Sequence, residues 1–357
     1  MYKKRIEKIQ RLLAKENLDG FLVNRLVHIR YLCGYSGSSG LLIIRAKDAY
    51  FLTDFRYKDQ AAKEVKAAKV IITKTDPISE LKDLKQFQAK NLRYGFESAY
   101  LTHSELQRIQ NGLAGALLIP VTDIVERFSV IKEADEIASL QKAMDITDTA
   151  FERILGYLRP GLRENEIRAE LEYQMMTLGS EKPAFETIVA SGYRSAMPHG
   201  VASAKKIAQG DFVTFDFGAM YNGYTADLTR TVVVGKANDR QKKIYDIVLR
   251  AQLAAIKKVR HGVEGKMVDK AARDIIAKAG FGKNFGHGLG HGLGVYIHSK
   301  PNVGPRSTDT LKSGMVITIE PGIYISGWGG VRIEDDVLVT TRGGRVMTRS
   351  PKNLFEL

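Results

Sequence analysis

The sequence predicts two domains, an α/β domain followed by an α+β domain. Over residues 1–121, apolar segments of strand length alternate with helical segments, which is typical of α/β domains. Beyond about residue 134, pairs of long helical segments are each followed by β-rich chain. The length of 357 residues suits two domains, and 44% hydrophobic with 26% charged residues is ordinary globular composition. We place the domains at 1–125 and 126–357.

The elements of the first domain are predicted from periodicity. A helix over 4–18 carries apolar residues along one stripe, and Gly20 ends it. Further helices are predicted at 58–68, 77–89 and 102–113, and strands at 21–24, 41–46, 49–57, 69–74, 92–97 and 116–121. The glycine-rich segment GYSGSSG at 34–40 lacks the lysine and Ser/Thr of a phosphate-binding P-loop, so we interpret it as a tight turn.

The second domain is predicted to contain four long helices. They span about 134–158, 164–178, 238–258 and 266–279, and Pro160-Gly161 ends the first of them. The later part is β-rich, with strands predicted at 315–320 and 330–340 after a glycine-laden segment at 282–298.

The segment DFVTFDFGAMYNGYTADLTRT (211–231) is predicted to form a β-hairpin, because Asn222-Gly223 is a preferred type I′ turn. A turn centred there pairs Asp216 with Thr229 and Gly218 with Asp227. Asp216 and Asp227 then project from one face as diagonal neighbours, with Cα atoms roughly 7–8 Å apart. From this hairpin alone, two interpretations stay open: a metal-binding pair, and two solvated acids on an exposed sheet face.

Charge and composition exclude several functional classes. The net charge of +14 is spread along the chain, whereas a nucleic-acid surface would cluster basic residues with aromatic ones, so we expect no nucleic-acid partner. The single cysteine, Cys33, excludes an intramolecular disulfide. We find neither a signal peptide nor an apolar run of membrane-spanning length, so we expect no membrane partner and a cytoplasmic location.

The second domain also carries histidines and glutamates of the types that bind metals. His287 and His291 have the spacing of a zinc-binding helix, but the glycines of GHGLGHGLG oppose a helix. We interpret these glycines as allowing the backbone to pass close to a bound group; the alternative is a flexible loop. Glu320 ends the apolar strand MVITIE and Glu334 lies in another strand, where carboxylates are costly unless paired or ligating. Two Asp, two Glu and one or more His would suit two divalent ions.

The order of these segments resembles that of the pita-bread metallopeptidases. Asp216 and Asp227 are followed by GHGLGHGLGVYIH, ITIEPGIYI and GGVRIEDD with the spacing of that family, over residues 130–357. The family includes methionine aminopeptidase, aminopeptidase P, prolidase and creatinase. GYSGSSG and LTDFRY make 1–125 similar to a creatinase-like N-terminal domain, most like that of aminopeptidase P-type members. The resemblance therefore implies a creatinase-like α/β domain and an α+β pita-bread catalytic domain.

The resemblance implies a role for each of nine residues. The five metal ligands would be Asp216, Asp227, His291, Glu320 and Glu334. Asp227 and Glu334 would bridge the two ions, and Glu320 would also shuttle a proton. The remaining four would act on the substrate, His199 and His298 in catalysis and His287 and Arg332 in binding.

The activity that the resemblance implies is removal of the N-terminal residue from peptides with proline in second position. The alternative on the same scaffold is a prolidase restricted to Xaa-Pro dipeptides. An inactive binding module of this fold is a third alternative, which the retained ligand set opposes. The expected ions are manganese, with cobalt or zinc as alternatives. A homodimer is expected because relatives with both domains are commonly dimers.

Overall fold

The structure, a computed structural model, describes residues 1–88 and 90–357. The chain divides into two compact units, Met1–Phe128 and Ser129–Leu357, where the sequence predicted a boundary at 125/126. Among the described residues, no helix combines the length and the apolar character that crossing a bilayer would require.

The first unit is built on a mixed six-stranded sheet. Its helices are α1 (Tyr2–Lys15), α2 (Leu26–Cys33), α3 (Lys58–Glu64) and α4 (His103–Gly112), and α5 (Ile124–Ser129) lies at the division. Its strands are β1 (Gly20–Val23), β2 (Leu41–Arg45), β3 (Ala49–Asp54), β4 (Lys69–Thr73), β5 (Arg93–Glu97) and β6 (Leu117–Val121). The sheet order is β4-β3-β2-β1-β5-β6, and three of its pairings, β3–β4, β1–β5 and β5–β6, are parallel. Parallel pairs of this kind follow from the alternating pattern.

The predicted helix at 77–89 is wrong. The chain forms two short 3₁₀ helices there, Ser79–Asp83 and Lys85–Phe87, and Ala89 lies outside the described residues. The apolar residues that pack into the core of this unit are spaced by three: Ile78, Leu81, Leu84 and Phe87. A spacing of three places side chains on one face of a 3₁₀ helix, which has three residues per turn, but not on one face of an α-helix.

The second unit contains four long helices and twelve short strands among the described residues. The helices are α6 (Ala134–Leu155), α7 (Glu164–Thr177), α8 (Asp239–Lys258) and α9 (Gly265–Lys278). The strands up to the hairpin are β7 (Ile188–Ser191), β8 (Phe212–Phe217), β9 (Met220–Tyr221), β10 (Tyr224–Thr225) and β11 (Leu228–Val233). The later ones are β12 (Gly290–Gly292), β13 (Ser299–Val303), β14 (Val316–Ile319), β15 (Gly322–Ile325), β16 (Gly329–Arg332), β17 (Asp335–Val339) and β18 (Gly344–Val346).

Two antiparallel sheets, each covered by one pair of helices, organise this unit. The sheet β11-β8-β7 shares an apolar core with α6 and α7, and the sheet β13-β12-β14-β17-β18 shares another with α8 and α9. The pairs β9–β10 and β15–β16 form separate two-stranded ribbons. Each sheet therefore buries one apolar face against its own pair of helices.

The predicted hairpin register is confirmed around Asp216. Asp216 pairs with Thr229, and Asn222 and Gly223 both have the positive φ, 51° and 77°, that a type I′ turn requires. The predicted pairing of Gly218 with Asp227 is absent from the described ladder, which is interrupted there. A side chain at Gly218 would lie 1.8 Å from the Ala226 carbonyl oxygen, so the two backbones approach too closely for a regular pair. Asp227 is thereby released from strand pairing.

The predicted strand at 330–340 is also wrong in one respect, because it is two strands in two different sheets. β16 pairs with β15, whereas β17 pairs with β14 and β18. At the crossing between them, the Glu334 N–H donates to the Thr229 carbonyl at 3.1 Å. An unbroken apolar and acidic run does not reveal such a crossing, since the periodicity on either side of it is the same.

Candidate metal centre

The four predicted acidic ligands lie on strands or at strand ends of the second unit. Asp216 belongs to β8, and Asp227 immediately precedes β11. Glu320 follows β14, and Glu334 occupies the crossing from β16 to β17. The interrupted hairpin and the broken strand therefore bring carboxylates from separate segments to one place.

Three of these carboxylates form a tight cluster. Ligand oxygens of Asp216, Asp227 and Glu334 all lie within 4.8 Å of one another. His291 Nε2 lies 3.6 Å from Asp227 Oδ2 and 3.4 Å from Glu320 Oε1. The structure thus brings all five predicted ligands together around one centre.

His291 is held with one ring nitrogen available to a ligand. Its Nδ1 lies 3.2 Å from the Gly292 carbonyl, so Nδ1 carries the proton and donates, and the Nε2 lone pair faces the acids. Burial, followed by the charge of the neighbouring His298, lowers the pKa of His291 to about 4, so the imidazole is neutral near pH 7. A neutral imidazole with a free Nε2 is the form that binds metals.

Neighbouring backbone requires glycine beside His291, and the predicted approach of these glycines to a bound group stays a prediction. A side chain at Gly290 would lie 2.1 Å from the Thr318 carbonyl oxygen, so β12 can approach β14 only with glycine there. The approach lets the His291 N–H donate to Thr318 Oγ1 at 3.1 Å, which fixes the residue in the sheet.

Burial and mutual repulsion make the acidic cluster costly when no cation is present. Burial, followed by the charge of Glu334, raises the pKa of Asp227 well above its usual value. Burial, followed by the charge of Glu320, does the same for Glu334. Burial raises the pKa of Glu320 to about 8, with a further contribution from Asp216. Burial therefore favours the protonated forms of all three carboxyl groups, and Glu320 holds its proton at neutral pH unless positive charge replaces it.

A hydrogen-bonded chain connects the cluster to the predicted substrate residues. Arg332, buried at 3% exposure, donates from Nη2 to Asp216 Oδ2 at 2.5 Å and from Nη1 to the Tyr324 hydroxyl at 3.1 Å. The Tyr324 hydroxyl lies 3.0 Å from His287 Nε2, and His287 Nδ1 lies 2.7 Å from the Gly288 carbonyl. Because Nδ1 must donate to that carbonyl, Nε2 accepts the tyrosine proton, and the tautomer of His287 is fixed.

Tyr324 is a site residue that the sequence analysis missed. It lies in β15, and the β15–β16 register pairs Gly322 with Arg332. Tyr324, two residues along from Gly322, is therefore a diagonal neighbour of Arg332 on the same face. The pairing of these two strands was the signal that could have found it.

A cavity of about 750 Å³ opens beside the cluster. Its lining includes all nine predicted residues, and His199 and His298 are the exposed members. The His298 ring lies 4.3 Å from the His291 ring, centroid to centroid. Partial burial lowers the pKa of His298, which the charge of Asp216 opposes.

Comparison with known proteins identifies the family of this site. Residues 138–341 match metallopeptidase family M24, and residues 5–131 match the creatinase/prolidase N-terminal domain. A curated Xaa-Pro dipeptidase of Pyrococcus furiosus is 39% identical over 355 residues, which cover 99% of this chain and 100% of the relative. The chain belongs to metallopeptidase family M24.

Solved structures agree with the M24 assignment. An Xaa-Pro dipeptidase from Bacillus anthracis superposes with a TM-score of 0.95 at 43% identity, covering 100% of both chains. An X-Pro aminopeptidase from Thermotoga maritima superposes with a TM-score of 0.90 at 37% identity, covering 95% of this chain and 97% of the other. The predicted resemblance, the creatinase-like N-terminal domain and the pita-bread catalytic domain are confirmed, as is the metallopeptidase class.

M24 peptidases use a dinuclear site for divalent metals, and the donors of this chain fit one. The fit rests on Glu334, whose Oε2 accepts from Thr229 Oγ1 at 2.6 Å while its buried Oε1 has no hydrogen-bond partner among the described residues. An acceptor left bare at 2% exposure is costly unless a cation is bound to it. Four carboxylates and one neutral imidazole are the donors that such ions prefer.

We expect the metal-free protein to lose stability as the pH rises from about 6.5 to about 8. The pKa of Glu320 is raised from 4.5 to about 8, so in this window the folded protein binds more protons than the unfolded chain. Unfolding free energy therefore falls with increasing pH. Below about 6.5, His287 and His291, whose pKa values are lowered to about 4, oppose this trend.

Divalent metal should reverse this loss, because a cation replaces the protons on the cluster. The rise in Tm on adding Mn²⁺ to the stripped protein should therefore grow from about pH 6.5 to about pH 8. Thermal unfolding with and without the metal across this range measures the effect. A rise in Tm that stays constant or shrinks with pH would contradict it.

Proposed function

We propose that this protein hydrolyses the bond before proline in Xaa-Pro dipeptides, as a prolidase. The observation that carries the proposal is the convergence of five metal-binding side chains with Arg332 and three further histidines in one cavity. The names of the relatives support the dipeptide substrate, since the Bacillus anthracis and Pyrococcus furiosus proteins are both called Xaa-Pro dipeptidases.

Aminopeptidase activity on longer Xaa-Pro peptides is the second candidate. The sequence analysis favoured it, and the Thermotoga maritima relative at 37% identity is called an X-Pro aminopeptidase. The two activities share the metal centre and differ only in whether chain beyond the proline is accepted. We place the dipeptidase first because more of the similar proteins carry that name.

In this proposal, Asp216, Asp227, His291, Glu320 and Glu334 hold two divalent ions. Asp227 and Glu334 would each contribute carboxylate oxygens to the ions, and a bound ion would satisfy Glu334 Oε1, which has no hydrogen-bond partner among the described residues. When bound, the ions lower the pKa of a water molecule and polarise the substrate carbonyl. Manganese is the proposed ion because most of the donors are oxygens, with cobalt or zinc as alternatives.

Glu320 is proposed to move the proton. Its Oε1 accepts from Thr318 Oγ1 at 3.2 Å, which orients the carboxylate. It would take a proton from the attacking water and return it to the prolyl nitrogen as that nitrogen leaves. His298 and His199, both exposed at the cavity, would donate hydrogen bonds to the developing oxyanion and to the substrate backbone.

Recognition of proline is proposed to use the apolar part of the cavity wall. This part consists of Phe185, Ile188, Pro198, Val201 and Ile297. An imide bond has no N–H, so a proline substrate gains nothing from a backbone acceptor and must be recognised through its ring. Both nitrogens of the His287 ring are engaged, so the ring would present its face to the substrate. Arg332 would orient the substrate indirectly, by holding Asp216 in place.

The test is metal analysis followed by hydrolysis of Ala-Pro, Ala-Pro-Ala and Ala-Ala by the metal-loaded protein. We expect cleavage of Ala-Pro with the highest kcat/KM and little cleavage of Ala-Ala. Equal or faster cleavage of Ala-Pro-Ala would select the aminopeptidase instead. Failure to cleave either proline peptide with two ions bound would overturn the proposal.

The homodimer is also proposed on resemblance. Phe55, 72% exposed directly after β3, is the kind of large apolar side chain that an interface would cover. Multi-angle light scattering would give twice the chain mass of 39.7 kDa for a dimer. A Phe55→Ser variant should then shift toward the monomer mass.

A further inference from the structure

The cavity beside the metal centre is strongly acidic. Besides the four acidic ligands, Glu186 lines it. Two divalent ions would compensate the negative charge of the four acidic ligands. A substrate carboxylate needs further positive charge at the place where it binds. Among the described residues that line the cavity, only Lys283 and Arg332 are lysine or arginine.

Each of the three guanidinium nitrogens of Arg332 is already engaged in a hydrogen bond. Its Nε donates to Thr229 Oγ1 at 3.0 Å, and its Nη1 donates to the Pro198 carbonyl at 3.3 Å as well as to Tyr324. Its Nη2 donates to Asp216. Turning this guanidinium toward a substrate would break contacts that hold a metal ligand in position.

The three histidines whose pKa values are lowered do not supply the missing charge. Burial lowers the pKa of His287 and of His291 to about 4, and it lowers that of His298 as well. All three rings are therefore neutral at pH 7. The only uncommitted lysine or arginine on the described cavity wall is Lys283.

Lys283 has a free ammonium group, and its backbone is held in place. It lies in the 3₁₀ helix Gly282–Asn284, and its exposed side chain makes no hydrogen bond or ion pair within the described part of the chain. The next residue, Asn284, donates from Nδ2 to the Tyr324 carbonyl at 2.9 Å and ties the helix to the strand that follows Glu320. The Lys283 backbone is therefore fixed beside the site, while the four-carbon side chain is free to change rotamer when a ligand binds.

We propose that Lys283 binds the C-terminal carboxylate of the substrate and thereby sets the preference for dipeptides. This inference rests on the proposed Xaa-Pro peptidase function. In a dipeptide the carboxylate belongs to the proline itself and stays in the cavity. Each further residue moves that charge outward by up to about 3.3–3.6 Å and leaves a neutral carbonyl in its place. A single lysine at the cavity wall therefore distinguishes the two substrate lengths by charge.

The test compares Ala-Pro with its C-terminal amide, which keeps the size and the scissile bond but removes the negative charge. Wild-type protein should prefer the acid. Lys283→Met should raise KM for Ala-Pro about tenfold, the loss expected for one charge-assisted contact, and so erase that preference. Lys283→Arg should restore it, and kcat and the content of bound metal should stay close to wild type in both variants.

Lys278→Met is the matched control, because Lys278 is an exposed lysine at the end of α9 that does not line the cavity. It should keep the preference for the acid. If wild type cleaves Ala-Pro but K283M retains the acid-over-amide preference as K278M does, the inference is overturned and the proposed function stands. If wild type cleaves neither proline substrate, both fall together.

Discussion

Replacing Asp227 by Asn is expected to abolish metal retention and turnover together. Asp227 is 5% exposed, lies within 4.8 Å of two other carboxylates and faces His291, so no other side chain can take over its position. The amide has one weak acceptor oxygen and no charge. We expect kcat/KM to fall by about 10³-fold or more, the equivalent of several kcal/mol of transition-state stabilisation. Metal analysis after dialysis and Ala-Pro hydrolysis measure the two losses.

The metal-free D227N protein should unfold at a Tm no lower than that of metal-free wild type. Burial and the charge of Glu334 raise the pKa of Asp227 well above its usual value, so the site favours a neutral group at this position and tolerates the amide. This outcome separates ligand loss from misfolding. Asp246→Asn is the control, since Asp246 is 62% exposed and, among the residues that the structure describes, pairs only with Arg250 on the surface. An active D227N protein with two ions bound would remove the basis of the proposed function.

The sequence was most informative where a local rule determines geometry. Asn222-Gly223 fixes a type I′ turn, and the turn fixes the pairing of Asp216 with Thr229. The order and spacing of the later segments then led to five predicted ligand residues, and the structure brings their side chains into one cavity. Their individual roles stay predictions that the metal and kinetic measurements test.

The parts that the sequence did not reveal depend on contacts between distant segments. The hairpin interruption at Gly218 and the strand crossing at Glu334 arise from backbone approach and from a change of sheet, which periodicity does not record. Tyr324 becomes visible only when β15 is paired with β16. Arg230 is a similar case, because an arginine inside an apolar strand shows that a partner must exist but not where it is.

Arg230 is the largest side chain that is nearly fully buried, at 1% exposure, and it ties the C-terminal segment to the metal centre. Its Nη2 donates to Asp335 Oδ1 at 2.8 Å and to the Ser350 carbonyl at 2.6 Å, and its Nε donates to the Pro351 carbonyl at 3.1 Å. Its Nη1 donates to the Thr229 carbonyl at 3.0 Å and to the carbonyl of Glu334 itself. The Arg230 guanidinium therefore holds the backbone of Glu334, which positions the side chain of this proposed metal ligand.

Asp335 completes the buried network. Its Oδ2 accepts from Lys352 Nζ at 2.5 Å and from Gln252 Nε2 at 2.7 Å. Burial alone would raise the pKa of Asp335, but the charges of Arg230 and Lys352 hold it below its usual value. Every described partner of Arg230 is thus an acceptor, and all of these bonds except the one to Pro351 are buried.

We expect Arg230→Met to lower the free energy of unfolding by about 3–5 kcal/mol, the range found when one partner of a buried ion pair is deleted. Methionine fills much of the space but removes the donor to the carbonyls of Glu334 and Ser350. Asp335 Oδ1 then keeps only the Thr348 hydroxyl, at 2.9 Å, as a donor among the described residues. Urea unfolding followed by the fluorescence of Trp328, the single tryptophan, reports on the unit that contains Arg230.

Arg250→Met provides the matched comparison, because Arg250 pairs with Asp246 on the surface at 58% and 62% exposure. That pair is worth at most about 1 kcal/mol, so R250M should unfold close to wild type. Arg230→Lys should fall between the two, since an ammonium keeps the charge but cannot reach four carbonyls and a carboxylate at once. Equal losses in R230M and R250M would show that burial of the Arg230 network adds nothing to stability, and the network would then serve only to orient Glu334.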